Sequence, residues 1–89
     1  MDFEWDPTKA ASNLAKHGVR FADAVAVLSD DQAVTVRDER FVEARFVTLG
    51  RSVTGRLLVV VHTPRDNAIR IISARKANAR EARQYKERP

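Results

Sequence analysis

Arginine is concentrated in this sequence where chemistry on an anion would need it. Residues 65–89 hold Arg65, Arg70, Arg75, Lys76, Arg80, Arg83, Lys86 and Arg88 against only Asp66, Glu81 and Glu87, a balance of +5. Residues 1–64 hold eight Lys/Arg and nine Asp/Glu, a balance of −1, so the +4 of the whole chain lies in its C-terminal part. Such asymmetry points to an anionic partner. The planar guanidinium grips phosphate through two parallel hydrogen bonds and stays charged at any physiological pH. Arginines therefore suit both phosphate binding and the stabilisation of a phosphorane-like transition state. Cleavage of RNA by its own 2′-OH needs three things: a group to remove the proton, charge to neutralise the phosphate, and a group to protonate the leaving oxygen. Arginines fill the middle role. Glu43, His17, His62, Tyr85 and Lys16 are the residues that could fill the outer two.

Each of these has a plain structural reading beside the chemical one. His17 follows Leu14 by three and precedes Gly18, which suits a packed or capping histidine at a helix end. His62 alternates in phase with Leu58 and Val60, as a half-buried strand histidine would. Tyr85 shares a helix face with Ala82, and Glu43 could simply pair with Arg45 or Arg40. The basic C-terminal part could equally be a solvated, salt-bridged face.

Several function classes are excluded by what the chain lacks. It has no cysteine, so disulfides, thiolate zinc sites and a cysteine nucleophile are out, and a reducing cytoplasm is the expected compartment. Its three glycines are isolated and form no phosphate loop. The two histidines stand far apart without metal-ligand spacing, so no metal and no cofactor is expected. No nucleophile elbow appears. The start Met1-Asp2-Phe3-Glu4-Trp5-Asp6 does not read as a signal peptide, and the run Leu57 to Val61 is too short to span a membrane.

The elements that must position these residues are legible from spacing. Eighty-nine residues make one domain. Phe3-Glu4-Trp5 alternates as a short edge strand does. Asp6-Pro7 starts a helix, with Asp6 as cap and Pro7 at the first helical position. Ala10, Ala11 and Leu14 give it an apolar stripe, and Gly18 closes it. Phe21, Ala24, Val25 and Leu28 mark a second helix, and Ser29 to Gln32 a turn. Strands follow at Val34-Thr35-Val36 and at Arg45 to Leu49, with Gly50 to Gly55 as a loop. Leu57 to Thr63 reads as a central strand, Pro64 to Asn67 as a turn, and Ile69 to Ala74 as the antiparallel partner. From Lys76 to about Glu87 the residues are helix formers, with Asn78 as an alternative cap. The order β-α-α-β-β-β-β-α implies an α+β domain, an antiparallel sheet with helices packed on it. Arg65 then sits at a hairpin tip, Arg75 and Lys76 leave the last strand, and Arg80 and Arg83 share a helix face.

Set in order, these blocks resemble a known family. Asp2-Phe3-Glu4-Trp5-Asp6-Pro7, Lys9-Ala10, Asn13 and Lys16-His17-Gly18-Val19 are similar to the opening of BrnT-type toxins. Downstream, Glu43-Ala44-Arg45 with Gly50, Leu57 to Val61, Thr63 and Arg65, Ile69 to Ala77, and Glu81, Arg83 and Tyr85 continue the likeness over nearly the whole chain. The resemblance implies a RelE/ParE-like fold and a bacterial type II toxin that cleaves RNA without metal and without the ribosome. It also implies a BrnA-type ribbon-helix-helix antitoxin, with operator DNA contacted only through that partner. Glu43, Arg65 and Arg75 carry most weight for the chemistry, with Lys16, His17 and His62 beside them. His62 stands where many relatives have tyrosine. Arg45, Arg70, Lys76, Arg80, Arg83 and Tyr85 are expected to hold substrate or antitoxin. The alternative is a non-catalytic basic module that docks an acidic antitoxin or nucleic acid. A sequence-specific DNA reader is a weaker third reading, since no helix-turn-helix signature is present.

Overall fold

The computed structural model describes residues 1–87. Arg88, counted above among the basic residues, lies outside them. The chain runs β1 (Asp2–Glu4), α1 (Pro7–His17), α2 (Phe21–Val27), β2 (Val34–Arg37), β3 (Phe46–Arg51), β4 (Leu57–Arg65), β5 (Ala68–Lys76) and α3 (Ala79–Glu87). The five strands form one sheet in the order β1-β5-β4-β3-β2. Four of them are antiparallel neighbours. The expectation of a wholly antiparallel sheet needs correction, because β1 lies parallel to β5, with Phe3 opposite Ile69. Two helices separate β1 from β2, so the first strand is free to join the far edge in either direction.

The α1 boundaries follow from local chemistry. The Asp6 carboxylate accepts from the backbone N–H of Thr8 at 2.8 Å, and Pro7 occupies the first turn. Gly18 closes the helix at φ 68°, a left-handed conformation that a side chain would strain. The apolar stripe read on α1 is displaced, however. Leu14 is 43% exposed, and the buried residue of α1 is Asn13. Its amide nitrogen donates to the carbonyls of Ala74 (2.8 Å) and Val19 (3.0 Å), and its oxygen accepts from Ala74 N–H at 3.1 Å. Beyond Glu4, where β1 stops, this one side chain satisfies backbone groups on the outer edge of β5.

Successive residues of a strand point to opposite faces, and the two faces of this sheet are covered differently. Leu58, Val60, Ile71 and Ala74 meet Val19, Phe21, Ala24 and Val27 in the larger core under α1 and α2. Trp5 packs edge-on against Phe21, with centroids 6.0 Å apart. Leu49, Val59 and Tyr85 form a smaller cluster under α3 on the opposite face. Gly50 belongs to β3 rather than to a loop. An added Cβ there would meet Val27 and Ala33 at 3.1 Å, so glycine lets α2 approach the strand. Likewise β5 continues through Lys76, and α3 begins after Asn78. Asn78 Oδ1 accepts from Glu81 N–H and Glu81 Oε1 from Asn78 N–H, a reciprocal capping box. At the β4–β5 hairpin, Pro64 and Arg65 stay in the strand, and the turn is Asp66-Asn67 with Asp66 at φ 56°.

Candidate functional site

The segment between β2 and β3 is irregular, and it shapes the open part of the α3 face. Asp38 N–H donates to the Arg45 carbonyl at 2.7 Å, which closes residues 39–44 into a loop. The Thr63 hydroxyl donates to the Ala44 carbonyl and ties the loop to β4. Within it, Arg40 forks onto Asp38 through Nε (2.9 Å) and Nη2 (2.7 Å). Those hydrogen bonds hold the Asp38 carboxyl at a pKa of about 2. The Arg45 guanidinium lies 3.8 Å from the centroid of the Phe41 ring and donates to Glu43 Oε1 at 2.5 Å. Glu43 is thus on this loop, as is Arg45, where the sequence suggested that the strand begins; β3 starts one residue later, at Phe46.

Beside the loop lies a groove of about 430 Å³. Its floor is apolar: Val47 from β3, Val59 and Val61 from β4, Ile72 from β5. Around that floor stand Arg40, Phe41 and Arg45 on the loop side and Ser73 and Arg75 on β5. A bulge shapes the β5 wall. Val61 pairs with Ser73 and His62 with Ile71, which leaves Ile72 without an opposite residue. Arg75 is oriented by α3, since its Nη1 and Nη2 each donate to a Glu81 oxygen at 2.8 Å. That pair raises the Arg75 pKa and lowers that of Glu81, so both remain charged. Arg45 is different. Its Nε is buried without a hydrogen-bond partner. An unsatisfied buried donor costs about 1–3 kcal/mol, more on a charged group.

The expected site residues do not all gather here. Arg45 and Arg75 line the groove, and Glu43 adjoins it through its pair with Arg45. Lys16 and His17 lie in a neighbouring depression with Lys9, Ser12 and Asn13, which shares Ile72 and Ser73 with the groove. Arg65 is exposed at the hairpin, four residues past Val61, or about 13 Å along the strand. His62 is on the α1/α2 face, where its Nε2 is 2.8 Å from the Thr48 hydroxyl and its ring stacks on Phe46. Burial there lowers its pKa, so it is neutral at pH 7. Arg70 pairs with Glu4 at 2.7 Å on the β1 side. Lys76, Arg80 and Arg83 are exposed outside the groove. Tyr85 is buried, and its hydroxyl donates to Asp30 at 2.6 Å. Among the described residues, no three His, Cys, Asp or Glu side chains come together as metal ligands would. No helix among them is long and apolar enough to cross a membrane. Sequence reasoning passed over Arg40, Phe41 and Ser73. The signal available was Arg40-Phe41 followed by Arg45, a basic–aromatic interleaving typical of nucleic-acid surfaces.

A small α+β domain with an arginine-lined groove on one sheet face fits the class of nucleic-acid-handling proteins. A family model described as the ribonuclease toxin BrnT of type II toxin–antitoxin systems matches residues 5–81, and the chain belongs to that family. The fold is similar to the crystal structure of the Brucella abortus ribonuclease toxin BrnT, with a TM-score of 0.71 and 28% identity over 88% of this chain and 97% of that one. No curated protein matches the chain. Membership of a type II family implies an antitoxin partner and an RNA target.

Proposed function

We propose that the chain is a RelE/ParE-like endoribonuclease toxin that cleaves RNA at the groove of the α3 face, without a metal and without the ribosome. The observation that carries this reading is the pair of guanidinium groups, Arg45 and Arg75, that line one groove on the α3 face. A phosphate in the groove would meet both charges. In the step this implies, Glu43 accepts the proton of a ribose 2′-OH, and the oxygen attacks the adjacent phosphorus. Arg45 and Arg75 stabilise the extra negative charge. The P–O5′ bond breaks, leaving a 2′,3′-cyclic phosphate, and His17, with Lys16 beside it, returns a proton to the departing 5′ oxygen. His62 and Tyr85 take no part in this step, because each is committed to a partner away from the groove. Arg65, Arg70, Lys76, Arg80 and Arg83 are left to hold the RNA backbone beyond the groove or the antitoxin. A BrnA-type ribbon-helix-helix antitoxin neutralises the toxin in the cytoplasm and makes the operator contacts.

The purified chain should degrade RNA with EDTA present and leave 2′,3′-cyclic ends. Arg45→Ala and Arg75→Ala should each lower the rate with the fold intact. Salt-dependent RNA retention without cleavage products would favour the non-catalytic binding module instead.

A further inference from the structure

The floor of the groove is the wrong surface for a phosphate. Val61 and Ile72 are only partly buried, and Val47 is partly buried at the edge of the cluster of Leu49 and Val59 that α3 covers. A sheet face that needed only to bind a charged backbone would gain nothing from apolar side chains between its arginines. We propose that this floor takes one unstacked nucleobase, so that the chain handles its RNA as a single strand. The proposal rests on the reading of the groove as the RNA site and names which part of the nucleotide lies where.

Three observations select a base as the occupant. First, the charge fits: the lining holds Arg40, Arg45 and Arg75 against one carboxylate, Asp38, and stays net positive, so guanidinium groups now paired with Asp38, Glu43 and Glu81 would also hold the phosphates on either side of the base. Second, the size fits. About 430 Å³ is at the small end of ligand pockets, roughly 300–1,000 Å³, and suits one nucleotide rather than a duplex or a peptide helix. Third, the wall offers flat faces, since the Arg45 guanidinium is held against the Phe41 ring. Bases of single-stranded RNA stack on aromatic rings and on guanidinium planes, whereas bases inside an A-form helix present no free face. The Ile72 bulge contributes as well, because an unpaired residue alters the pleat where the floor meets β5.

The test separates base from phosphate without requiring cleavage. Short RNA oligonucleotides, 2′-O-methylated so that no attack can occur, are compared with fully abasic oligonucleotides of the same length and phosphate count. Binding is followed by fluorescence anisotropy across a salt series. The normal strand should bind about tenfold more tightly than the abasic one at every salt concentration, with equal salt slopes, since the phosphate contacts are the same. At salt high enough to suppress the phosphate contacts, the matching duplex should bind less tightly than the normal single strand. Val61→Thr/Ile72→Thr keeps β-branched residues in both strands and should abolish most of the tenfold difference while leaving the abasic affinity unchanged. Equal affinity for normal and abasic strands, with binding still weakened by Arg45→Ala, would overturn the base pocket and spare the RNA groove. Binding of both strands that is indifferent to Arg45→Ala would overturn both. If Val61→Thr/Ile72→Thr instead weakened only the antitoxin complex, the floor would be a protein contact and the proposal would be wrong.

Discussion

The two faces of the sheet are made of the same residue types and do opposite things. Under α1 and α2, Phe21, Leu58, Val60 and Ile71 are sealed from water, and the polar groups among them are satisfied. Asn13 makes three hydrogen bonds there, and His62 reaches Thr48, which is also within 2.8 Å of the Thr35 hydroxyl. Under α3, Leu49, Val59 and Tyr85 are closed in, and Val47 and Val61 stop at a groove lined by Arg45 and Arg75. One face holds the molecule together; the other leaves an arginine-lined groove open. Stability and activity should therefore respond to different residues.

The sharpest contrast comes from Phe21→Ala, a cavity in the closed face. It should lower unfolding free energy by about 3–5 kcal/mol in denaturant titrations, with cleavage per folded molecule unchanged. On the open face, Arg45→Ala should lower RNA cleavage by about 10²–10³-fold while costing less stability than Phe21→Ala. Equal loss of stability in the two variants would erase the distinction. Asn13→Ala should cost about 2–3 kcal/mol, because two carbonyls and one N–H lose their partner in a buried place. Tyr85→Phe tests whether the small cluster is structural. It should cost about 1 kcal/mol through the lost bond to Asp30 and leave cleavage intact. The smallest effect concerns pH. Burial holds the His62 pKa below its ordinary 6.5. The unfolded chain therefore takes up that proton first. The stability His62 contributes is complete above about pH 6.5 and is lost as pH falls through the folded pKa. His62→Gln should flatten the stability profile on the acid side.

Much of the framework was legible in the sequence because it is written in local chemistry. Asp6-Pro7 and Gly18 bracket α1, the valine run is the central strand, and Asn78 with Glu81 marks the start of α3. What could not be read depends on distant residues. Nothing in Phe3-Glu4-Trp5 says that it will pair parallel to a strand 66 residues later. Nor does helical spacing reveal that Asn13, rather than Leu14, turns inward, because the reason lies at Ala74. Of the proposed site, Arg45 and Arg75 could be picked out by type and block pattern. Arg40 and Phe41 could not be placed by periodicity, since an irregular loop has none. The split between His62 and the groove follows from strand alternation, yet the choice of face needs the helices to be in place.

The amide of Asn13 has a consequence for how the molecule is made. It completes the outer edge of β5 from a helix near the start of the chain, and β1 covers the rest of that edge from the same end. Neither can dock until residues 68–76 have been synthesised and have left the exit tunnel of the ribosome. The sheet therefore closes only once β5 has emerged, with its earliest and latest strands meeting last. A nascent chain short of that point has no finished groove, since Ile72, Ser73 and Arg75 all come from β5. A product truncated before β5 should accordingly be harmless to the cell that makes it.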